Sequence, residues 1–223
     1  MSGSATRIVA VRHGETDWNR ATRIQGHTDI ALNETGLWQA RRLAHALADT
    51  GLSAVYASDL QRAVQTAQAM AQRAGLPVTT DRDLRERHFG VFEGQTFAEI
   101  EQRSPEQALR WRRRDADFGA EGGETLADFY SRCVACATRL AARHPGETIA
   151  LVAHGGVLDC LYRAATRVGL QAQRTWQIGN ASINWLLYSE LGFTLVGWND
   201  ELHLDPAGRE EDGIYAGAAE GAA

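Results

Sequence analysis

What this chain has little of narrows the possibilities first. Its three cysteines, Cys133, Cys136 and Cys160, are too few for a disulfide framework. The opening stretch "MSGSATR" has no apolar centre of the kind a secretory leader carries. No apolar run approaches the roughly 18–20 residues that a membrane-crossing helix needs. Positive charge is not in excess: 23 basic against 28 acidic residues leave a net charge of −5, unlike a general nucleic-acid binder. An acidic chain can still bind an anion locally. There is no internal repeat. The expectation is a cytoplasmic protein in a reducing setting, with neither a nucleic-acid nor a membrane partner.

What is present supports a real core. Hydrophobic residues make up 44% of the 223 positions, enough for one good-sized domain. Residues 1–205 are expected to form it, with an insertion over about 86–123 that caps the core. The small, polar residues 206–223 are expected to be disordered. "RIVAV" (Arg7–Val11) reads as a strand covered on both faces, followed by a polar loop from Gly14 to about Leu32. A helix then starts near Asn33, with Asn33 or Thr35 as its cap and Gly51 as its end. "LSAVYA" is a second strand, "SDLQRAVQTAQAMAQRAG" a helix with Ser58 and Gln61 at capping-box spacing, and "LPVTTD" a third strand. Two short helices broken by Pro105 lie in the insertion. "TLADFYSRCVACATRLAARH" is a long amphipathic helix, "ETIALVA" a buried strand and "GGVLDCLYRAAT" a helix. "INWLLY" and "FTLVGWN" form an antiparallel hairpin whose edge could serve a homodimer. Strands alternating with helices predict a three-layer α/β/α sandwich around a mostly parallel central sheet.

One plan recurs in "IVAVRHG" and "IALVAHGG": a buried strand, a histidine at its carboxyl end, then glycine. Ligands of open α/β sheets sit beyond the carboxyl ends of the strands, so His13 and His154 could face each other across one pocket. A bland polar turn explains one such histidine better than it explains two. "VYASDLQRAVQTA" adds Arg62 in the first turn of a helix, where a surface cation would oppose the helix dipole and a bound anion would relieve it. Arg12, Arg62 and two imidazoles suit a phosphoryl group, because guanidinium forks match its oxygens. "DLRERHFG" brings Glu86, either one charge of a solvated loop or a proton donor beside the anion. Arg85 and Arg87 are then expected to point away from it. The histidines could instead hold a metal, but the adjacent Arg12 would repel a cation.

The fragments "RHGETDWN", "IQGHTDIALNETG", "YASDLQRAVQTA", "LRERHFGVFEG", "GGET" and "VAHGG" run in the order of the histidine phosphatase superfamily, the phosphoglycerate mutase-like family, which the chain resembles over most of residues 7–170. The resemblance implies that His13 is the nucleophile, transiently phosphorylated. Arg12, Arg62 and His154 would complete the phosphate pocket, and Glu86 would be the proton donor. Asn19 and Gly155 match further phosphate contacts, and Gln25 and Gly26 match a segment lining the substrate side. No metal and no cofactor are required. Gly14 is expected to let the backbone approach the phosphate. "ERHFG" is close to the mutase form of its motif, but the span from Glu86 to His154 is short beside the long insertion of cofactor-dependent mutases. A phosphomonoester hydrolase acting on a small phosphorylated metabolite is therefore preferred. A phosphoglycerate mutase is the alternative, and a non-catalytic phosphate-binding module comes third.

Other signals weigh less. "CVAC" lies inside a helix with no second pair, and Cys160 reads as helix core. Arg112, Arg113 or Arg114 in "WRRRD" could meet an acidic substrate group. His88 could line the pocket mouth, while His27, His45, His144 and His203 have no convergent partners.

Overall fold

Alternation along the strands decides the layers. In β1 (Thr6–Arg12), Ile8 and Ala10 face one side of the sheet while Val9 and Val11 face the other. β4 (Thr148–Ala153) repeats this, with Ile149, Leu151 and Ala153 on the first side and Ala150 and Val152 on the second. Both strands therefore need a helical layer on each face. The computed structural model, which describes residues 4–205, provides both layers. The expected disorder of residues 206–223 falls outside the described residues.

The six strands run in the order β3-β2-β4-β1-β5-β6, with β2 (Leu52–Ala57), β3 (Val78–Thr80), β5 (Ile183–Ser189) and β6 (Gly192–Asp200) completing the sheet. β3, β2, β4 and β1 pair in parallel; β5 and β6 join antiparallel, as the hairpin pattern anticipated. The fold is a mixed α/β sandwich on a mostly parallel sheet. α2 (Glu34–Ala46) and α3 (Gln61–Ala74) cover one face through Leu43, Ala63, Ala67 and Met70. α6 (Leu126–Ala141) and α7 (Gly155–Thr166) cover the other through Phe129, Leu140, Leu158 and Leu161. Each leucine fully buried in this way contributes about 1.5–3 kcal/mol over leaving it exposed.

The insertion has its own small core. α4 (Phe97–Arg103) and α5 (Pro105–Arg112) close around Phe92, Ile100, Ala108 and Phe118, with Trp111 stacked on Phe89 and Phe92. Pro105 separates these two short helices as expected, opening α5 at its first position, where its missing N–H costs nothing. Three local expectations are corrected. The polar loop after Gly14 contains a one-turn helix, α1 (Asp17–Arg20), closed by a capping box between Thr16 and Asn19 and too short to show periodicity. α2 ends at Leu47 rather than at Gly51. α3 has no Ser58–Gln61 box; it begins at Gln61, whose backbone N–H donates to Asp29 Oδ1 at 2.7 Å. A carboxylate from a distant loop thus takes the place of a local cap.

Candidate active site

β1, β4 and β2 lie side by side in the centre of the sheet and run parallel, so their carboxyl ends share one edge. Register does the rest. Arg12 pairs with Ala153, so His13 and His154 leave the sheet together, each one residue further on. The His13 N–H donates to Ala153 O at 3.0 Å, and the two imidazole centroids stand 5.2 Å apart at 59°. Arg62 enters from the first turn of α3, which follows β2, and is fully buried. Four of the five residues expected in the pocket therefore converge through strand order alone.

The hydrogen bonds assign opposite tautomers to the two rings. His13 Nδ1 lies 2.7 Å from Gly14 O, a carbonyl that can only accept, so Nδ1 carries the proton and Nε2 presents a lone pair. His154 Nδ1 lies 3.2 Å from Arg62 Nε, which can only donate, so Nδ1 accepts and the proton resides on Nε2. That Nε2 is buried and has no hydrogen-bond partner in the protein. One ring thus offers a nucleophilic lone pair and the other an N–H donor. Both imidazoles are held neutral: burial pushes each far below the ordinary histidine value, and the Arg62 and Arg12 charges add to the effect.

Arg62 also donates to structure, through Nη1 to Thr28 O at 3.0 Å and through Nη2 to Gly26 O at 2.8 Å, and each of these nitrogens carries a second N–H. Burial lowers its pKa to about 10 against the pull of Glu86, Asp29 and Glu93, which leaves it charged at neutral pH. Arg12 Nη1 donates to Ile178 O at 2.7 Å, while its Nε is buried without a partner beside Gly155.

Glu86 arrives on the loop between two 3-10 turns, Arg82–Leu84 and Gly90–Phe92. Its carboxylate accepts from the Gly156 N–H at 3.0 Å, in the first turn of α7, and from the Arg87 N–H at 2.9 Å. A Cβ on Gly156 would collide with Glu86 Oε1, so this glycine makes room for the acid. Arg85 turns away, as expected, forming a fork with Asp59 at 2.6 Å; Arg87 reaches the carbonyls of Phe118 and Glu124 but, against expectation, lines the same cavity as Glu86.

The expected substrate-side residues divide. Gly155 opens α7 against Arg12. Asn19 touches the site through Asn180, whose Nδ2 donates to His13 O at 3.0 Å and to Asn19 Oδ1 at 3.3 Å. Gly26 contributes its carbonyl to Arg62, and Gln25 buries an Oε1 that has no partner. The reason expected for Gly14 is corrected. A Cβ there would stand 2.6 Å from Gly36 O, so the glycine lets the loop press on the start of α2.

Sequence reasoning missed three supports. Asn180 lies in a stretch with no periodic signal. Thr66 Oγ1 accepts from the Gly14 N–H at 3.0 Å, and only its place one turn after Arg62 hinted at that. His27 Nε2 lies 2.9 Å from Glu86 O, with its ring stacked on His88 at 4.6 Å.

Beside Glu86 a cavity of about 500 Å³ opens between the insertion and α6–α7, lined by Trp111, Arg112, Phe129, Asp159 and Arg174 among others. Of the arginines in "WRRRD", Arg112 lines it, stacked on Phe97 and paired with Glu101 at 2.7 Å. Arg114 also lines it but is committed to Asp159 at 2.7 Å, and Arg113 is not among the lining residues. Arg174, unanticipated from the sequence, is exposed on the rim and close enough to act on the charge of Arg12.

The donor set at the histidines does not suit a metal ion: one ring presents an N–H and two guanidinium groups stand alongside. The grouped possible ligands among the described residues are Asp81, Asp83 and Cys136, where Arg139 already pairs with both carboxylates at 3.0 and 3.1 Å. Cys133, Cys136 and Cys160 are unbridged and buried in the helical core. No described helix is long and apolar enough to cross a membrane.

Comparison with known proteins identifies the family. The family model of the histidine phosphatase superfamily (branch 1) matches residues 8–201. Phosphoglycerate mutase-like protein 4 of Arabidopsis thaliana is 42% identical over 212 residues, covering 93% of this chain and 90% of that protein. A metal-independent phosphoserine phosphatase, also of Arabidopsis thaliana, is 36% identical over 93% of this chain and 87% of its own length. The structure of a mycobacterial glucosyl-3-phosphoglycerate phosphatase in complex with VO3 superimposes with a TM-score of 0.77 at 33% identity, covering 87% of this chain and 99% of that one. The chain belongs to the histidine phosphatase superfamily, branch 1, and is an enzyme of the histidine-phosphatase kind.

Proposed function

We propose that the protein is a metal-independent phosphomonoester hydrolase that works through a phosphohistidine at His13. The observation that carries this reading is the opposed pair of tautomers, His13 with its lone pair on Nε2 and His154 with its proton there. A neutral, buried imidazole fixed by Gly14 O is a ready nucleophile and needs no base. In the first step His13 Nε2 forms a bond to phosphorus as the bond from phosphorus to the substrate oxygen breaks. Glu86, protonated, gives its proton to the departing oxygen. In the second step water attacks the phosphohistidine, Glu86 takes back a proton, and His13 leaves with its lone pair. Arg12, Arg62, the His154 Nε2–H and the start of α7 surround the transferring group with fixed positive ends, which stabilise the charge on its equatorial oxygens.

The cavity beside Glu86 receives the alcohol part of the substrate. Its aromatic wall of Trp111 and Phe129 suits a carbon skeleton, and Arg112 and Arg174 suit a second anionic group. The named relatives support that reading, because phosphoserine and phosphoglycerate esters both carry a carboxylate near the phosphate. The partner in this reading is a small phosphomonoester in the cytoplasm.

A phosphoglycerate mutase would use the same pocket, and the names of several relatives favour it. Phosphate release from a panel of phosphomonoesters separates the two, provided it includes 3-phosphoglycerate with and without a bisphosphate primer. Net release of inorganic phosphate is the expected result. Conversion to 2-phosphoglycerate without release would replace the hydrolase reading with the mutase.

A further inference from the structure

Glu86 has no helix or strand of its own, yet its carboxylate must meet a substrate oxygen within a few tenths of an ångström. The brace that holds it comes from α6. The guanidinium of Arg132 donates through Nη1 to Asp83 O at 2.7 Å and to Arg85 O at 3.1 Å, and through Nη2 to Glu86 O at 3.3 Å. Three carbonyls leading up to the acid and including its own are thus tied to one side chain. Glu124 orients that side chain in turn, accepting from Arg132 Nε at 2.7 Å and from Nη2 at 2.8 Å. Glu124 also grips the other end of the loop. Its Oε2 accepts the His88 N–H at 3.0 Å, its N–H donates to His88 O at 2.9 Å, and its carbonyl accepts from Arg87. Residues 83–88 therefore lie in one continuous bracket with Glu86 near its centre.

We infer that Arg132 and Glu124 are positioning residues for the proton-transfer step, setting where the Glu86 carboxylate meets the leaving oxygen. The inference rests on Glu86 being the proton donor in the reading above. A fork is needed because three carbonyls at different heights must be reached at once, which a single ammonium cannot do. The pair also stays ionised. Burial works to raise the Glu124 carboxyl, but the Arg132 and His88 hydrogen bonds outweigh it and leave it below its ordinary value. The two side chains are only about a fifth exposed, so a loss of alignment is not easily made good by solvent.

Two properties separate this role from simple packing. Proton donation matters greatly when an alkoxide leaves and little when a nitrophenolate leaves. The ratio kcat/KM reports only the steps up to release of the alcohol. The test therefore compares kcat/KM for an alkyl phosphomonoester and for p-nitrophenyl phosphate in the wild type, Arg132→Lys, Glu124→Gln and Glu86→Gln. Arg132→Lys and Glu124→Gln are each expected to lose at least ten-fold more on the alkyl ester than on the aryl ester. A misplaced group of this kind costs on the order of 10²-fold. Equal losses on both esters, or no loss on either, would overturn the inference. Glu86→Gln distinguishes the two levels: if it too fails to discriminate between esters, the acid assignment falls. If it discriminates while both bracket variants do not, only the bracket falls. Thermal unfolding of each variant shows which are folded, and should Arg132→Lys not fold, Glu124→Gln alone decides, because its side chain keeps one acceptor and nearly the same shape.

Discussion

Each histidine in the pocket owes its role to one neighbouring atom. Gly14 O fixes the proton of His13, and Arg62 Nε fixes that of His154. Both rings are buried and neutral, which has a consequence for stability. Each has a folded-state pKa well below the ordinary 6.5, so the unfolded chain binds more protons as pH falls past that value. The contribution is intact above pH 6.5 and is lost as pH falls from there through the folded pKa. Urea unfolding from pH 7.5 down to 5 should show stability falling by up to about 1.4 kcal/mol per pH unit for each histidine. His13→Asn should lose one share of that slope, whereas an unchanged slope would mean that His13 is not held neutral. The strand-end histidines and Arg62 were legible in the sequence because strand, His and Gly, and a basic first helical turn, are local patterns. The tautomers were not, since they depend on atoms that only the fold brings within reach. Asn180 was also hidden, lying 167 positions from the His13 carbonyl it supports.

At the scale of elements, the site is a meeting of helix starts with strand ends. His154 is the N-cap of α7, so the first turn that presents Gly156 N–H to Glu86 also fixes the second histidine. Gly156→Ala tests that coupling. A methyl group there would strike Glu86 Oε1 and come within 3.0 Å of the Phe129 ring. The fold should survive, since alanine favours a helix over glycine by roughly 0.5–1 kcal/mol. Turnover of alkyl esters should nevertheless fall by about 10- to 100-fold, because general acid help is typically worth 10²–10⁴-fold. Unchanged kcat/KM on an alkyl ester would show that Glu86 does not rely on this contact. Secondary structure was largely legible because the strands of the sheet centre are unbroken apolar runs and the long helices are amphipathic. What escaped was set by tertiary contact. Asp29 starts α3 where a Ser58 cap was expected. Gly14 serves the packing of two backbones rather than the approach of a phosphate.

Across the whole molecule, a net charge of −5 coexists with a pocket built around buried cations. Every one of the 23 basic residues is arginine, so each cation that can meet a phosphate is a planar fork rather than a point charge. Inorganic phosphate should therefore bind the folded state alone and raise its stability by about 2.7 kcal/mol at one hundred times its dissociation constant. Thermal unfolding at rising phosphate concentration measures this, and Arg62→Ala should abolish the shift. A shift that persisted in Arg62→Ala would place phosphate elsewhere. The insertion forms one wall of the cavity beside Glu86, and the strand ends carry His13 and His154. The central claim is the covalent step at His13. Rapid mixing with a ³²P-labelled substrate, quenched in alkali, should trap label on the wild-type protein in an acid-labile bond that maps to the peptide containing His13. His13→Ala should trap none. Turnover without any trapped label, or label mapping to His154, would contradict it.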